Sequence, residues 1–66
     1  MNMKTFSLKQ MEGVHVSAIG SCGSCKNKEV FGILKVENNV PIVCILDEDG
    51  NIEVECTVYA QTIEPA

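Results

Sequence analysis

The sequence predicts a small, mainly β domain, either an antiparallel meander or a five-stranded barrel of SH3-like or OB-like size. Its apolar residues are chiefly Val, Ile, Leu, Met and Cys, with only three aromatic side chains, and Val and Ile favour pleated sheet. Several short segments alternate apolar and polar residues, with turn-forming residues between them. The chain has 66 residues, so residues 1–66 are expected to form a single domain with a low free energy of unfolding.

The predicted strands lie near residues 3–10, 13–20, 28–37, 40–47 and 51–61. In the second segment Val14, Val16 and Ala18 alternate with polar residues, as expected of a half-buried strand.

The third segment also allows a helix, so an α+β fold with one helix near 26–36 is the alternative. Val30, Ile33 and Leu34 would share one helical face. Gly32 lowers helix stability by about 1 kcal/mol relative to alanine. The Asn-Asn pair at 38–39 favours a strand followed by a tight turn.

Residues 41–60 predict a β-hairpin. An apolar run at 41–46 is followed by Asp-Glu-Asp-Gly at 47–50, which suits a type I turn ending in a left-handed glycine. The segment after it alternates apolar and polar residues over most of its length. The register expected from this turn places six side chains on one face, in the pairs Leu46 with Ile52, Cys44 with Val54, and Ile42 with Cys56.

The charge distribution argues against nucleic acid as a ligand. The net charge is −4, and all five basic residues are lysines. Residues 34–66 carry one lysine against seven acidic residues. Such a surface repels phosphate, and the chain lacks arginine, the favoured side chain for phosphate contacts. An acidic surface keeps a protein dispersed in water and also suits a basic protein partner.

No apolar run has the length of a signal peptide or of a membrane-crossing helix. We therefore expect a cytoplasmic protein that does not enter a membrane. In a reducing compartment, free thiols or a metal site are expected in preference to disulfides.

The cysteine pair Cys22 and Cys25 is the sharpest chemical feature of the sequence. Two intervening residues allow one loop to present both sulfurs to a tetrahedral zinc ion. The further ligands would be Cys44 and Cys56, with His15 as a substitute. Two alternatives stay open. Cys44 and Cys56 can instead be small core residues, or the cysteines can serve a disulfide or redox role.

The sequence offers no catalytic set whose members can be placed together, and no glycine-rich phosphate loop. The leading hypothesis is a non-catalytic interaction module, accessory or inhibitory, that binds a protein partner or a second copy of itself through exposed strand edges. The first alternative is a zinc-stabilised module built on the Cys22 and Cys25 pair. The second is a small thiol redox protein.

Overall fold

The structure is a computed structural model, and it describes residues 8–66. Within that range the chain is mainly β, with five antiparallel strands in one sheet of order β4-β3-β2-β1-β5. The strands are β1 (His15–Ile19), β2 (Glu29–Glu37), β3 (Val40–Leu46), β4 (Ile52–Thr57) and β5 (Glu64–Pro65). A short helix α1 (Leu8–Met11) precedes them, and 3₁₀ turns occupy Gly23–Cys25 and Ala60–Thr62. The mainly β prediction is confirmed, and the sheet is not closed into a barrel.

The strands predicted near 13–20, 28–37 and 40–47 are confirmed as β1, β2 and β3. The alternative helix near 26–36 is wrong, because β2 is hydrogen-bonded between two neighbouring strands. Gly32 supplies the local reason, since its backbone lies so close to the Cys44 carbonyl group of β3 that no side chain fits between them.

The two ends of the chain depart from the prediction. The strand expected near 51–61 ends at Thr57. Residues 8–10 of the strand expected near 3–10 belong to α1 instead, and residues 3–7 lie outside the described residues. Strand β5 was not predicted from the sequence, and it pairs Pro65 with Val16 and Glu64 with Ser17. A proline suits this position because β5 is an edge strand of the sheet.

The turn between β3 and β4 has the predicted form. Gly50 has a φ of 86° in the left-handed region, and its N–H donates to the Asp47 carbonyl oxygen at 3.1 Å. The Asp47 carboxylate Oδ1 accepts hydrogen bonds from the N–H groups of Asp49 (2.9 Å) and Asn51 (3.0 Å). The acidic turn is therefore organised by one of its own carboxylates.

Replacing Asp47 by alanine is expected to lower the free energy of unfolding by about 1 kcal/mol, because two backbone N–H groups lose their acceptor. Urea denaturation of the two proteins measures this change. Glu48→Ala removes the same charge from the same exposed turn, and we expect it to be close to neutral. Equal losses in both variants would contradict this role of Asp47.

The predicted register of the hairpin is correct only next to the turn. Leu46 pairs with Ile52 as expected, but a β-bulge follows, and from there Cys44 pairs with Glu55 and Cys56 pairs with Val43. One extra residue on β4 shifts the pairing by one position, which moves side chains to the other face. Cys44 and Cys56 consequently lie on opposite faces of the sheet.

The core lies on the Cys56 face of the sheet. It is completed by the C-terminal segment, which places the buried Ile63 against it, and by Leu8 and Met11 of α1. The Thr62 hydroxyl fixes that segment, because it accepts a hydrogen bond from the Ile19 N–H at 2.9 Å and donates to the Tyr59 carbonyl at 2.7 Å. The buried core side chains are Val16, Ala18, Val30, Leu34, Val43, Cys56, Val58 and Ile63.

Candidate functional site

The loop between β1 and β2 carries Cys22 and Cys25. Its two ends are held together by hydrogen bonds from the Gly20 N–H to the Lys28 carbonyl (2.8 Å) and from the Asn27 N–H to the Gly20 carbonyl (2.9 Å). Asn27 has a φ of 65°, a left-handed conformation that asparagine tolerates well. This narrow loop presents the 3₁₀ turn Gly23–Cys25 beside β4.

The cysteines divide into one bonded pair and two free thiols. Cys25 forms a disulfide with Cys56 of β4, across 31 positions of sequence and with a Cα–Cα distance of 6.1 Å. Cys22 is free and exposed, whereas Cys44 is free and only 4% exposed. The expectation of free thiols is therefore wrong for Cys25 and Cys56. The disulfide ties the loop to the C-terminal half of β4.

This arrangement does not fit the four-cysteine zinc site considered from the sequence. Cys44 lies on the opposite face of the sheet from Cys56, and sulfurs joined in a disulfide are not thiolate ligands. His15 is exposed at the start of β1, opposite Ile33. Across residues 8–66, no group of three or more His, Cys, Asp or Glu side chains is arranged to hold a metal ion.

Cys44 has an environment that favours the neutral thiol. Burial raises the pKa of Cys44, and the negative charge of Glu55 adds to this effect, while Lys35 opposes it. The Lys35 ammonium lies 3.4 Å from a Glu55 carboxylate oxygen and 4.0 Å from one of Glu37, and these two charges raise the pKa of Lys35. The buried Cys44 thiol packs against its neighbours in the sheet, and its surroundings disfavour the thiolate, which is the reactive form.

The open edge of β4 is the second feature of interest. In the described part of the chain, β4 is the last strand of the sheet, with β3 on one side. The cysteine loop covers only the C-terminal end of the other side, where the Ser21 N–H donates to the Thr57 carbonyl at 2.8 Å. Peptide groups alternate in direction along a strand, so those of Glu55 also point away from β3. They are available to a further strand.

The side chains along this edge are aliphatic and acidic. Ile52 is 55% exposed and Val54 is 40% exposed, and they lie on opposite faces because of the bulge. Glu53 and Glu55 follow them in alternation and are also exposed. A shallow depression beside the edge is lined by Leu46, Asp47, Glu48, Asp49 and Glu53. We call the exposed segment 52–55 the β4 edge.

Exposed strand edges are predicted from the sequence, but the strand that provides one is not. The alternation of Ile52, Glu53, Val54 and Glu55 indicates a half-buried strand, but it describes the faces of the sheet and does not reveal whether the strand has a neighbour on each side. The disulfide partner of Cys25 was not predictable in this way, because it depends on the register beyond the bulge.

Comparison with protein-family models, with curated proteins and with solved structures gave no significant match to this chain. Within residues 8–66, none of the helices is long and apolar enough to cross a membrane.

Proposed function

We propose that this protein is a non-catalytic interaction module that binds a protein partner by accepting an extended segment of that partner at the β4 edge. The open side of β4 carries this proposal. Strand addition uses the outward peptide groups of an edge strand for backbone hydrogen bonds, and the side chains beside them select the partner. Here the backbone of Glu55 supplies the outward groups, and Ile52 and Val54 supply apolar contact area.

The charges on β4 favour a different protein over a second copy. In an antiparallel pair of two β4 strands centred on Val54, Glu53 of one copy faces Glu55 of the other. If the pair is centred on Glu55, that residue faces its own counterpart. Like charges directly opposite each other destabilise a strand pair. Self-association through this edge is therefore disfavoured.

The same charges define the partner segment that fits best. It alternates apolar and basic residues, so that apolar side chains lie against Val54 and basic side chains lie beside Glu53 and Glu55. The acidic turn at 47–50 extends the negative field beyond the end of the strand and would speed the encounter with a basic segment.

The proposal is tested with three synthetic peptides of equal length. The first alternates lysine and valine, the second alternates threonine and valine, and the third has proline at alternate positions of the lysine–valine sequence. We expect the lysine peptide to bind roughly two- to fivefold more tightly than the threonine peptide at low salt. Glu53 gives one favourable cross-strand charge pair and Glu55, which already pairs with Lys35, gives a weaker one, about 0.5–1 kcal/mol together. The proline peptide should not bind, because it cannot donate the backbone hydrogen bonds. Isothermal titration calorimetry measures all three affinities.

Two variants of the protein serve as controls for the peptide experiment. Glu53→Gln removes one charge from the β4 edge and should bring the affinities of the lysine and threonine peptides closer together. Glu29→Gln removes one charge at the start of β2, which is separated from β4 by β3. This variant should leave the affinities of both peptides unchanged. Equal binding of the proline and lysine peptides would contradict strand addition.

We also propose the cytoplasmic location that the sequence led us to expect, and this location bears on the disulfide. Disulfide bonds persist in oxidising compartments, and in the cytoplasm they are usually transient and take part in exchange. A cytoplasmic location therefore requires that the bond between Cys25 and Cys56 be reversible.

A further inference from the structure

We propose that Cys22, Cys25 and Cys56 form a thiol–disulfide exchange site, in which Cys25 bonds alternately to Cys56 and to Cys22. The co-reactants of the site are low-molecular-weight thiols of the glutathione class. The exchange involves residues outside the β4 edge, and it does not depend on the proposed partner.

Cys22 and the bonded Cys25 belong to the same short loop, with two residues between them. Cys22 is the residue directly before the 3₁₀ turn, in extended conformation, and Cys25 is the last residue of that turn. Gly23 between them has a φ of 66°, and no other atom approaches within 4 Å of the position that its Cβ would occupy. The other side of the turn is closely packed, because a Cβ at Gly20 would overlap the carbonyl group and the Cβ of Cys25. An approach of the two sulfurs therefore requires movement of Cys22 and Gly23 on the open side of the turn.

Burial decides which sulfur is attacked and which one leaves. Cys25 is only half-buried and belongs to the loop, whereas Cys56 is 2% exposed within the core. An attacking thiolate reaches the Cys25 sulfur, and Cys56 is the leaving group. The released Cys56 thiol is a small, weakly polar group that a protein core accommodates well.

The intramolecular step is balanced without any oxidant. The Cys22 thiol gives its proton to water, and its sulfur forms a bond to the Cys25 sulfur. The bond between Cys25 and Cys56 breaks, and the Cys56 sulfur takes a proton from water. One thiol and one disulfide are present before and after the step.

An external thiol takes part through a mixed disulfide. Its thiolate attacks the Cys25 sulfur and releases Cys56. The Cys22 thiolate then attacks the Cys25 sulfur, releases the external thiol and forms a bond between Cys22 and Cys25. Lys26 and Lys28 are exposed at the end of the loop, where their positive charge attracts anionic thiolates. Cys22 is thus the resolving residue of the site.

Tryptic mapping distinguishes the two bonds. Cleavage after Lys9, Lys26 and Lys35 leaves Cys22 and Cys25 in peptide 10–26, and Cys44 and Cys56 in peptide 36–66. A bond between Cys25 and Cys56 cross-links these peptides, whereas a bond between Cys22 and Cys25 lies within peptide 10–26. The protein is incubated with reduced glutathione, its free thiols are blocked with N-ethylmaleimide, and the peptides are identified by mass spectrometry.

The wild-type protein is expected to gain the bond within peptide 10–26, with N-ethylmaleimide on Cys56. Cys22→Ser should retain the cross-link at low glutathione. At higher glutathione it should accumulate a mixed disulfide on Cys25, about tenfold above the wild-type level, because the resolving thiol is absent. Cys44→Ala should rearrange as the wild-type protein does.

Two results would overturn the proposal. The first is a wild-type protein that keeps only the cross-link and carries N-ethylmaleimide on Cys22 at every glutathione concentration. The second is equal accumulation of the mixed disulfide in wild type and Cys22→Ser. Since Cys22 is exposed, its replacement by serine is expected to leave the fold intact, and circular dichroism of the variant verifies this.

Discussion

Gly32→Ala is expected to destabilise the protein by about 3 kcal/mol or more, a large part of the free energy of unfolding of a domain of this size. An alanine Cβ at this position would overlap the backbone carbonyl oxygen of Cys44 and lie 3.0 Å from a methyl group of Val43. Both neighbours belong to β3, the strand that lies between β2 and β4. Relief of the overlap would require separation of β2 from β3, and urea denaturation measures the cost.

Gly23→Ala provides the matched control for this glycine. Gly23 has a positive φ of 66°, but the space around it is open. The cost of placing alanine there is only the strain of the left-handed conformation, about 1 kcal/mol. Similar losses at Gly23 and Gly32 would show that β2 and β3 are not packed as closely as described.

Breaking the bond between Cys25 and Cys56 is expected to have the second large effect. The bond closes a loop across 31 positions of sequence, and such a loop stabilises a folded protein by about 3–4 kcal/mol through the entropy of the unfolded chain. Cys25→Ser removes the bond at its half-buried end, so the change in core packing is small. Thermal unfolding followed by circular dichroism should give a much lower midpoint for this variant than for the oxidised wild type.

The reduced wild-type protein should unfold close to the midpoint of Cys25→Ser, since both lack the same cross-link. With no added thiol and at a pH low enough to prevent exchange, Cys22→Ser should have the same midpoint as the oxidised wild type, because both then hold the bond between Cys25 and Cys56. If Cys25→Ser and oxidised wild type unfolded together, the disulfide would contribute nothing to the stability of this domain.

The features that could be predicted from the sequence are those set by neighbouring residues. The turn at 47–50 follows from the order of its residues, since an aspartate accepts the turn hydrogen bonds and a glycine adopts the left-handed conformation. The choice of strand over helix for β2 also follows from local signals, namely Gly32 and the tight turn at 38–39, where both asparagines have positive φ.

The features that could not be predicted depend on contacts between distant residues. The bulge on β4 adds one residue to a regular alternation, and nothing in the alternation itself reveals it. It moves Cys44 to the opposite face from Cys56. The zinc site considered from the sequence required these two cysteines to lie on the same face. The pairing of Cys25 with Cys56 likewise results from the return of the β1–β2 loop to β4.

The candidate site shows the same division. A loop carrying Cys22 and Cys25 and the existence of open strand edges were predicted from the pattern of residues. The identity of the open strand follows from the order of strands in the sheet, which places β4 at one end and β5 at the other. Among the strands of residues 8–66, only β4 combines an uncovered side with exposed aliphatic side chains, Ile52 and Val54, and alternating glutamates.

Amide hydrogen exchange of Glu55, measured by NMR with and without the lysine–valine peptide, tests the proposed binding mode most directly. The Glu55 N–H points away from β3, so a strand added to β4 should slow its exchange by roughly tenfold, the effect of one additional backbone hydrogen bond. The Cys56 N–H faces β3 and should change little. If the peptide bound without slowing exchange at Glu55, or slowed it instead around the exposed Phe31 on β2, binding by strand addition at β4 would be contradicted.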